Sequence, residues 1–480
     1  MHTRPLTSWI GRSLISLVGI LSACNANTTD NAVDGLSAIN GTAAPTPTQS
    51  ETAKKDPIDA GDREDSGSAI VGKSGRFFIF DGGSSGTRVY AGTWTQVAKG
   101  EPVNIALGDA LKVSSRPDWE KNDPRNNNIG ISSFVDITGI SDYLKPLIQF
   151  IKSHSSDATT PVYFKATGGL RALSQSNPDG AQKILDEVYR VLTEEAGLSV
   201  GSRDDVSMIG GDMEGVYAWL AVNSLSGKFK QRADAGSMTG IFEIGGASLQ
   251  VAYVPWIGDP PANAPQTGLH TVRVAGTDYT VYATTYENRG ANSAFSLYNS
   301  DDCIPNGGLS SNGQKQTGIS NYRKCLAAVQ ANAHLDGAIC AYDSCGIPAC
   351  DSQQHCEKTA LYAPPPRGDF VALSVAYSTA LTYNISQLNV DTLDTAGTAV
   401  CGLSLEQVTT TFPKSGNFAN AGCFNLAYLR ALIDGRGGVK PGENGLGLGK
   451  SKVQPVAKIN GIDVSWPIGF MTERMERELE

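Results

Sequence analysis

The chain has 480 residues, 39 basic against 48 acidic side chains, and a net charge of −9, a length that suits two or three domains. Only 18% of residues are charged and 53 are glycine, a composition of loop-rich globular proteins rather than of coiled coils or disordered chains. No Lys/Arg run could track a phosphodiester backbone, which argues against nucleic acid as a partner. An anionic ligand would have to be held by backbone N–H groups and a cation, because no broad basic field is available.

His2, Arg4 and Arg12 precede an apolar run from Ser13 to Ala23. That run is shorter than the roughly 20 residues of a membrane span, so residues 1–23 read as a signal peptide. Leu21-Ser22-Ala23-Cys24 resembles a bacterial lipobox, in which Cys24 would carry lipid and anchor the chain to the cell envelope, facing the periplasm or the outside. Residues 24–75 are rich in Asn, Thr, Asp, Ala, Ser and Pro, too polar to bury a core, and read as a flexible tether. Eight cysteines remain: Cys303, Cys325, Cys340, Cys345, Cys350, Cys356, Cys401 and Cys423. In an exported chain an even set reads as four disulfides, whose pairing spacing alone does not give. A metal cluster at Cys345, Cys350 and Cys356 is the weaker reading, since the chain has 5 His and no C-x-x-C.

From Arg76 the pattern is strand, acid, glycine turn, strand. Arg76 to Asp81 is apolar and ends in a carboxylate, Gly82-Gly83-Ser84-Ser85-Gly86-Thr87 turns, and the strand resumes at Arg88. Pro161 to Leu173 is a strand that runs into Thr167-Gly168-Gly169, with Arg171 opening a helix, and Ala181 to Leu198 has helical apolar spacing. Val206 to Gly210 is a short strand followed by Gly211-Asp212-Met213-Glu214-Gly215 and a second helix. Read locally, Glu214 is a first-turn acid that complements the helix dipole. Gly240 to Val254 then repeats the first device, with Glu243 at the strand end, Gly245 and Gly246 in the turn, and Ala247-Ser248 opening the return strand. This is an internal duplication. Glycines let N–H groups converge on an anion, and a strand-end acid is placed to hold a cation against it. Neither loop has the Gly-Lys-Ser/Thr of a Walker loop, and neither opens a helix as a dinucleotide fingerprint does.

Taken together, these segments resemble the apyrase, or nucleoside triphosphate diphosphohydrolase, family, whose motifs run DAGSSGTR, KATAGMR, an EEGVYGW-like block and DLGGASTQ. The matching segments are Asp81 to Arg88, Lys165 to Arg171, Met213 to Trp219 and Glu243 to Gln250. Cys423-Phe424 with Tyr428, and Val464-Ser465-Trp466 to Gly469, resemble two C-terminal family blocks. The resemblance implies an α/β fold of two RNase H-like domains, as in actin and the sugar kinases, with the active site in the cleft between them. Residues 76–206 with about 455–480 would form the first domain, and 207–454 the second, which carries a disulfide-rich insert.

The resemblance further implies divalent-cation-dependent hydrolysis of nucleoside tri- and diphosphates to monophosphates. Glu214 would be the general base, with Ser248 and Gln250 orienting the attacking water. N–H groups of Gly83, Ser84, Ser85, Gly86 and Thr87, with Arg88, and of Gly245, Gly246, Ala247 and Ser248 would bind phosphate. Asp81, Thr167 and Glu243 would hold Ca or Mg through its water shell. Tyr377 would stack on the base, and Cys401 with Cys423 looks like a family disulfide. Departures are Glu243 where the family has Asp, Gly168-Gly169-Leu170 for Ala-Gly-Met, and Leu249 for Thr. Arg171 reads as a tie between its helix and the second loop ahead of a phosphate contact. An exopolyphosphatase or guanosine-pentaphosphatase relative, and a catalytically silent nucleotide-binding surface module, are the alternative readings.

Overall fold

Strand alternation in β1 (Lys73–Gly83) sets the layering of the molecule. Phe77 and Ile79 face one hydrophobic core, while Phe78 and Phe80 face another, as period-two geometry demands when both faces of a sheet are covered. The structure, a computed structural model, describes residues 72–117, 128–255, 268–310, 313–332, 368–433 and 452–480. The leader, the lipobox with Cys24, the tether, and Cys340, Cys345, Cys350 and Cys356 lie outside the described residues.

The first sheet contains β1, β2 (Gly86–Gln96), β3 (Asn104–Val113), β4 (Val162–Ala166) and β5 (Val206–Met208) in the order β3-β2-β1-β4-β5. The β1–β2 and β2–β3 pairs are antiparallel, and β4 and β5 run parallel to β1. The second sheet contains β6 (Gly240–Ile244), β7 (Ser248–Tyr253), β8 (Leu269–Val274), β9 (Thr277–Glu287), β10 (Phe370–Ser374) and β11 (Val453–Pro455), in the order β11-β10-β6-β7-β9-β8. With β8 set aside as an added edge strand, its order and strand directions repeat those of the first sheet. The duplication seen in the two glycine hairpins therefore extends to whole lobes, the arrangement expected of paired RNase H-like units. A short hairpin, β12 (Lys458–Ile459) and β13 (Ile462–Asp463), stands apart.

Three helical layers complete the molecule. The outer face of the first sheet is covered by α1 (Ile140–His154), α2 (Gly168–Ser176) and α3 (Pro178–Arg190). The helix expected over 181–198 starts earlier, because Asn177 accepts the Gly180 N–H as its cap, and it passes into a π-helical turn at Val191–Glu195. The second sheet's outer face carries α5 (Ala291–Tyr298), α6 (Tyr322–Asn332), α7 (Val375–Thr382), α8 (Val390–Val400), α9 (Leu405–Thr411) and α10 (Gly422–Ile433). Disulfides Cys303–Cys325 and Cys401–Cys423 staple this side.

Between the sheets lie α4 (Gly211–Leu225) and α11 (Trp466–Leu479), each following the fifth strand of its own repeat. Helix α4 is apolar on every face because a sheet or helix covers each one. The two helices cross so closely at Gly469 that any side chain there would strike the Tyr217 backbone. Glu476 of α11 joins both lobes: Oε1 accepts the Val103 N–H at 2.8 Å and Oε2 the Ala275 N–H at 2.9 Å.

Candidate active site

The same alternation that fills the central layer with Ile79, Ile241, Ala252 and Ala283 turns the polar ends of those strands toward it. Asp81 follows Ile79 by two residues, Glu243 follows Ile241, Gln250 and Ser248 precede Ala252, and Thr285 and Glu287 follow Ala283. All of these side chains therefore meet at one end of the layer, beside the N-terminus of α4. The two hairpins are equivalent in register, with Asp81 opposite Arg88 and Glu243 opposite Gln250.

The hairpin tips face each other. An ideal Cβ on Gly246 would lie 2.9 Å from Ser84 Oγ, so only glycine leaves the gap between the loops open. The start of α2 wedges alongside: a Cβ on Gly168 would stand 2.9 Å from Ser248 Oγ, and one on Gly169 2.7 Å from Ser84 Cα. The glycine that replaces the family's alanine at 168 thus has a steric reason. Carbonyls of Gly245, Gly246 and Ala247 accept N–H groups from Ala291, Asn292 and Gly290 at the start of α5. A peptide's N–H points opposite its carbonyl, so the Gly246 and Ala247 N–H groups are aimed away from the α5 donors.

One residue of the first loop departs from its expected part. Thr87 is fully buried in β2, and its N–H donates to Tyr143 Oη at 3.0 Å, so it does not reach the cleft. Arg88 is exposed and donates from Nη1 to Tyr90 Oη at 3.0 Å. Gly83, Ser84 and Ser85 form the open part of the tip, while Gly86, at φ 142°, lies under the Lys112 side chain.

Glu214 sits in the first turn of α4 and is 8% exposed. Its Oε2 accepts Arg171 Nη1 at 2.7 Å. Burial pushes its carboxyl up to about 7, the Arg171 charge opposing and Glu243 adding to the rise. Gln250 Nε2 donates to Ser248 Oγ at 2.7 Å and to Thr285 Oγ1 at 3.0 Å, and Arg171 Nη2 donates to Ser248 Oγ at 3.1 Å. Two donors thus occupy the lone pairs of Ser248, so its hydroxyl hydrogen is left to donate, and the amide oxygen of Gln250 is left to accept.

Burial of its carboxyl pushes Asp81 up to about 7, with Glu214 adding to the rise, while Arg88 and a hydrogen bond from Trp466 oppose. Glu243 is raised too, first by burial, against a Ser374 hydrogen bond and with Asp81 adding to the rise. Ser374 donates to Glu243 Oε1 at 2.6 Å from a backbone at φ 56°. Glu243 Oε2 is buried and has no partner among the described residues. Thr167 is buried at the head of α2, where its side chain caps nothing. Among the described residues no cluster of three His, Cys, Asp or Glu side chains stands at ligating spacing. Tyr377 is half-buried on α7, three residues beyond Ser374. Cys401 and Cys423 are bonded to each other.

Sequence reading missed Glu287, whose Oε1 accepts Arg171 Nε at 2.7 Å, and also Ser374, Thr285 and the Trp466 contact to Asp81. Glu287 carried a usable signal: it is an acid ending an apolar strand, as are Asp81 and Glu243.

The sequence profile of the GDA1/CD39 (nucleoside phosphatase) family matches residues 73–478. The chain is 27% identical over 435 residues to nucleoside-triphosphatase ntp-1 of Caenorhabditis elegans, covering 82% of this chain and 72% of that protein. It is 23% identical over 444 residues to ectonucleoside triphosphate diphosphohydrolase 1 of Rattus norvegicus, covering 82% and 79%. Among solved structures, nucleoside triphosphate hydrolases from Neospora caninum align with a TM-score of 0.46 at 14% identity, over 85% of this chain and 93% of that one.

Proposed function

Because the chain belongs to the GDA1/CD39 (nucleoside phosphatase) family, we propose that it hydrolyses the terminal phosphoanhydride of nucleoside tri- and diphosphates, releasing phosphate and nucleoside monophosphate. The observation that carries this reading is the position of Glu214. Its carboxylate, with a pKa of about 7, is buried beside Gln250, whose Nε2 lies 3.4 Å from Oε2, and shares Arg171 with the Ser248 hydroxyl, next to a gap walled by two glycine loops.

Phosphoryl transfer to water requires an aligned nucleophile, a proton acceptor and donors around the phosphate oxygens. Backbone N–H groups at Ser84 and Ser85 and at Gly246 and Ala247 receive the terminal phosphate from both sides. Glu214 Oε1, which Arg171 does not occupy, takes the proton of the attacking water. Gln250 Oε1 and the Ser248 hydroxyl fix that water on the line of attack.

The donor set fits a hard divalent cation. Asp81 raises the pKa of Glu243, Glu243 Oε2 lacks a partner among the described residues, and every candidate ligand is oxygen. Ca or Mg bound there supplies neutralisation of the phosphate charge. Asp81, Glu243 and Thr167 would hold the cation through its water shell, with Glu243 oriented by its hydrogen bond from Ser374. Tyr377, on the helix that begins beside Glu243, stacks on the nucleobase. The apolar run Ser13 to Ala23 and Cys24 support a lipid-anchored location on the bacterial envelope, facing away from the cytoplasm.

A phosphate-release panel over ATP, ADP, GTP, UDP, AMP and long-chain polyphosphate, with and without chelator, tests the reading. Release from the tri- and diphosphates that stops on chelation is expected, with none from AMP. Release from polyphosphate alone would replace it with an exopolyphosphatase reading, and no release from any substrate with that of a silent binding module.

A further inference from the structure

At the guanidinium of Arg171, side chains from α2, α4, β7 and β9 meet. Arg171 comes from α2 in the first lobe and is 7% exposed. Its Nη1 binds Glu214 Oε2 at 2.7 Å, its Nη2 binds Ser248 Oγ at 3.1 Å, and its Nε binds Glu287 Oε1 at 2.7 Å. Glu287 closes β9, directly opposite Ser248 in the β7–β9 register. A guanidinium is planar with its donors in a fixed fork, so holding Nε from one side sets where Nη1 and Nη2 point.

We propose that Glu287 is a positioning residue for hydrolysis: by gripping Arg171 across the lobes, it sets the plane in which that arginine presents Glu214 and Ser248 to the attacking water. The inference rests on the assignment of Glu214 as base and adds to it a residue outside every glycine motif. Three features support it. Glu287 pairs with Ser248 through the β7–β9 ladder, and its carboxylate is bonded to Arg171 Nε, the guanidinium that also holds Glu214 and Ser248. One positive charge faces two carboxylates, so Arg171 does not collapse onto Glu214 alone but is drawn toward both. The Ser248 lone pairs are filled by Arg171 and Gln250 together, so tilting the guanidinium frees the hydroxyl to rotate and lose its donor direction. A buried network of this kind fixes one geometry, and partial loss is felt throughout it.

The experiment is a double-mutant cycle on the full-length protein, with kcat and KM measured for ATP at saturating Ca or Mg. Glu287→Ala and Glu287→Asp are each made alone and combined with Arg171→Ala, and Glu214→Gln is measured in parallel. Glu287→Ala is expected to lower kcat about tenfold or more while KM stays within about twofold, because orientation in the transition state is lost rather than ground-state binding. Glu287→Asp, which keeps the charge, should recover part of kcat. In the Arg171→Ala background, Glu287→Ala should cost less than about twofold, since its action runs through that arginine.

Full additivity of the two losses, or a rise in KM with kcat unchanged, would overturn the inference. Glu287→Met, of similar length but without an oxygen acceptor, guards against a folding defect: unchanged kcat in that folded variant also overturns it. Should Glu214→Gln retain wild-type turnover, it is the base assignment that fails, a result distinct from any outcome at Glu287.

Discussion

Arg171 and Glu214 form a buried ion pair, Nη1 to Oε2 at 2.7 Å, that still leaves the carboxylate near neutrality, with a pKa of about 7. An arginine at that distance ordinarily drives a carboxyl well below its usual range. Here burial outweighs it, and Glu243 and Glu287 add to the rise. A carboxylate tuned this way is matched to proton abstraction near neutral pH.

Replacing it isolates that role. Glu214→Gln keeps the shape and an acceptor for Arg171, and should leave the fold intact while lowering kcat by at least about a hundredfold. Single-turnover phosphate release, alongside nucleotide binding by calorimetry, separates the two effects. Near-normal turnover would remove Glu214 from the reaction.

The pKa also fixes the sign of the pH dependence. A base works when deprotonated, so kcat/KM should rise about tenfold per pH unit below about 7 and level off above it. Measurement from acid to alkaline pH, with the ionisation of the nucleotide determined separately, checks this limb. Glu214→Gln should lose it, and a limb that persists in that variant belongs to another group.

Gly246 and Ser84 bring the two loops within one atom's reach of each other. Gly246→Ala places a methyl 2.9 Å from Ser84 Oγ, tighter than a relaxed contact, so the loops must part where the phosphate is to be gripped. Expected are a fall in kcat/KM of about tenfold or more and a change in stability of no more than about 1 kcal/mol, read by steady-state kinetics and urea unfolding. Ser84→Ala in the same chain should recover part of the loss.

The Cys401–Cys423 bond closes a 22-residue span, and a loop of that length contributes about 3 kcal/mol in the chain-entropy view. Cys401→Ala with Cys423→Ala should lower unfolding stability by about that amount. Both residues pack in the core of the second sheet's outer face, away from Glu214, so activity at low temperature should survive. Denaturant melts paired with activity assays test both halves.

The glycine hairpins, their strand-end acids and the helix-opening Glu214 were legible in the sequence because each is a local pattern: the turn needs glycine, and the acid ends an apolar run. Their repetition also announced the duplicated fold, since two copies of a strand order leave two copies of its most constrained turn. Thr87 could not be read correctly, because its N–H is claimed by Tyr143, 56 positions away. Glu287 was overlooked although it ends a strand as Asp81 and Glu243 do, because no Gly-Gly turn follows it and its partner Arg171 lies 116 positions away.

The sequence by itself determined the elements, the face each side chain takes, and the types of group available for chemistry, since periodicity and turn geometry are properties of neighbouring residues. Tertiary structure alone decided which groups share one pocket and in what protonation state. It brings Arg171 of one lobe against Ser248 and Glu287 of the other, directs the free hydrogen of Ser248, and lifts Glu214 to about 7. Those outcomes depend on burial and on distances across the fold, quantities that exist only once the two sheets have closed on the helices between them.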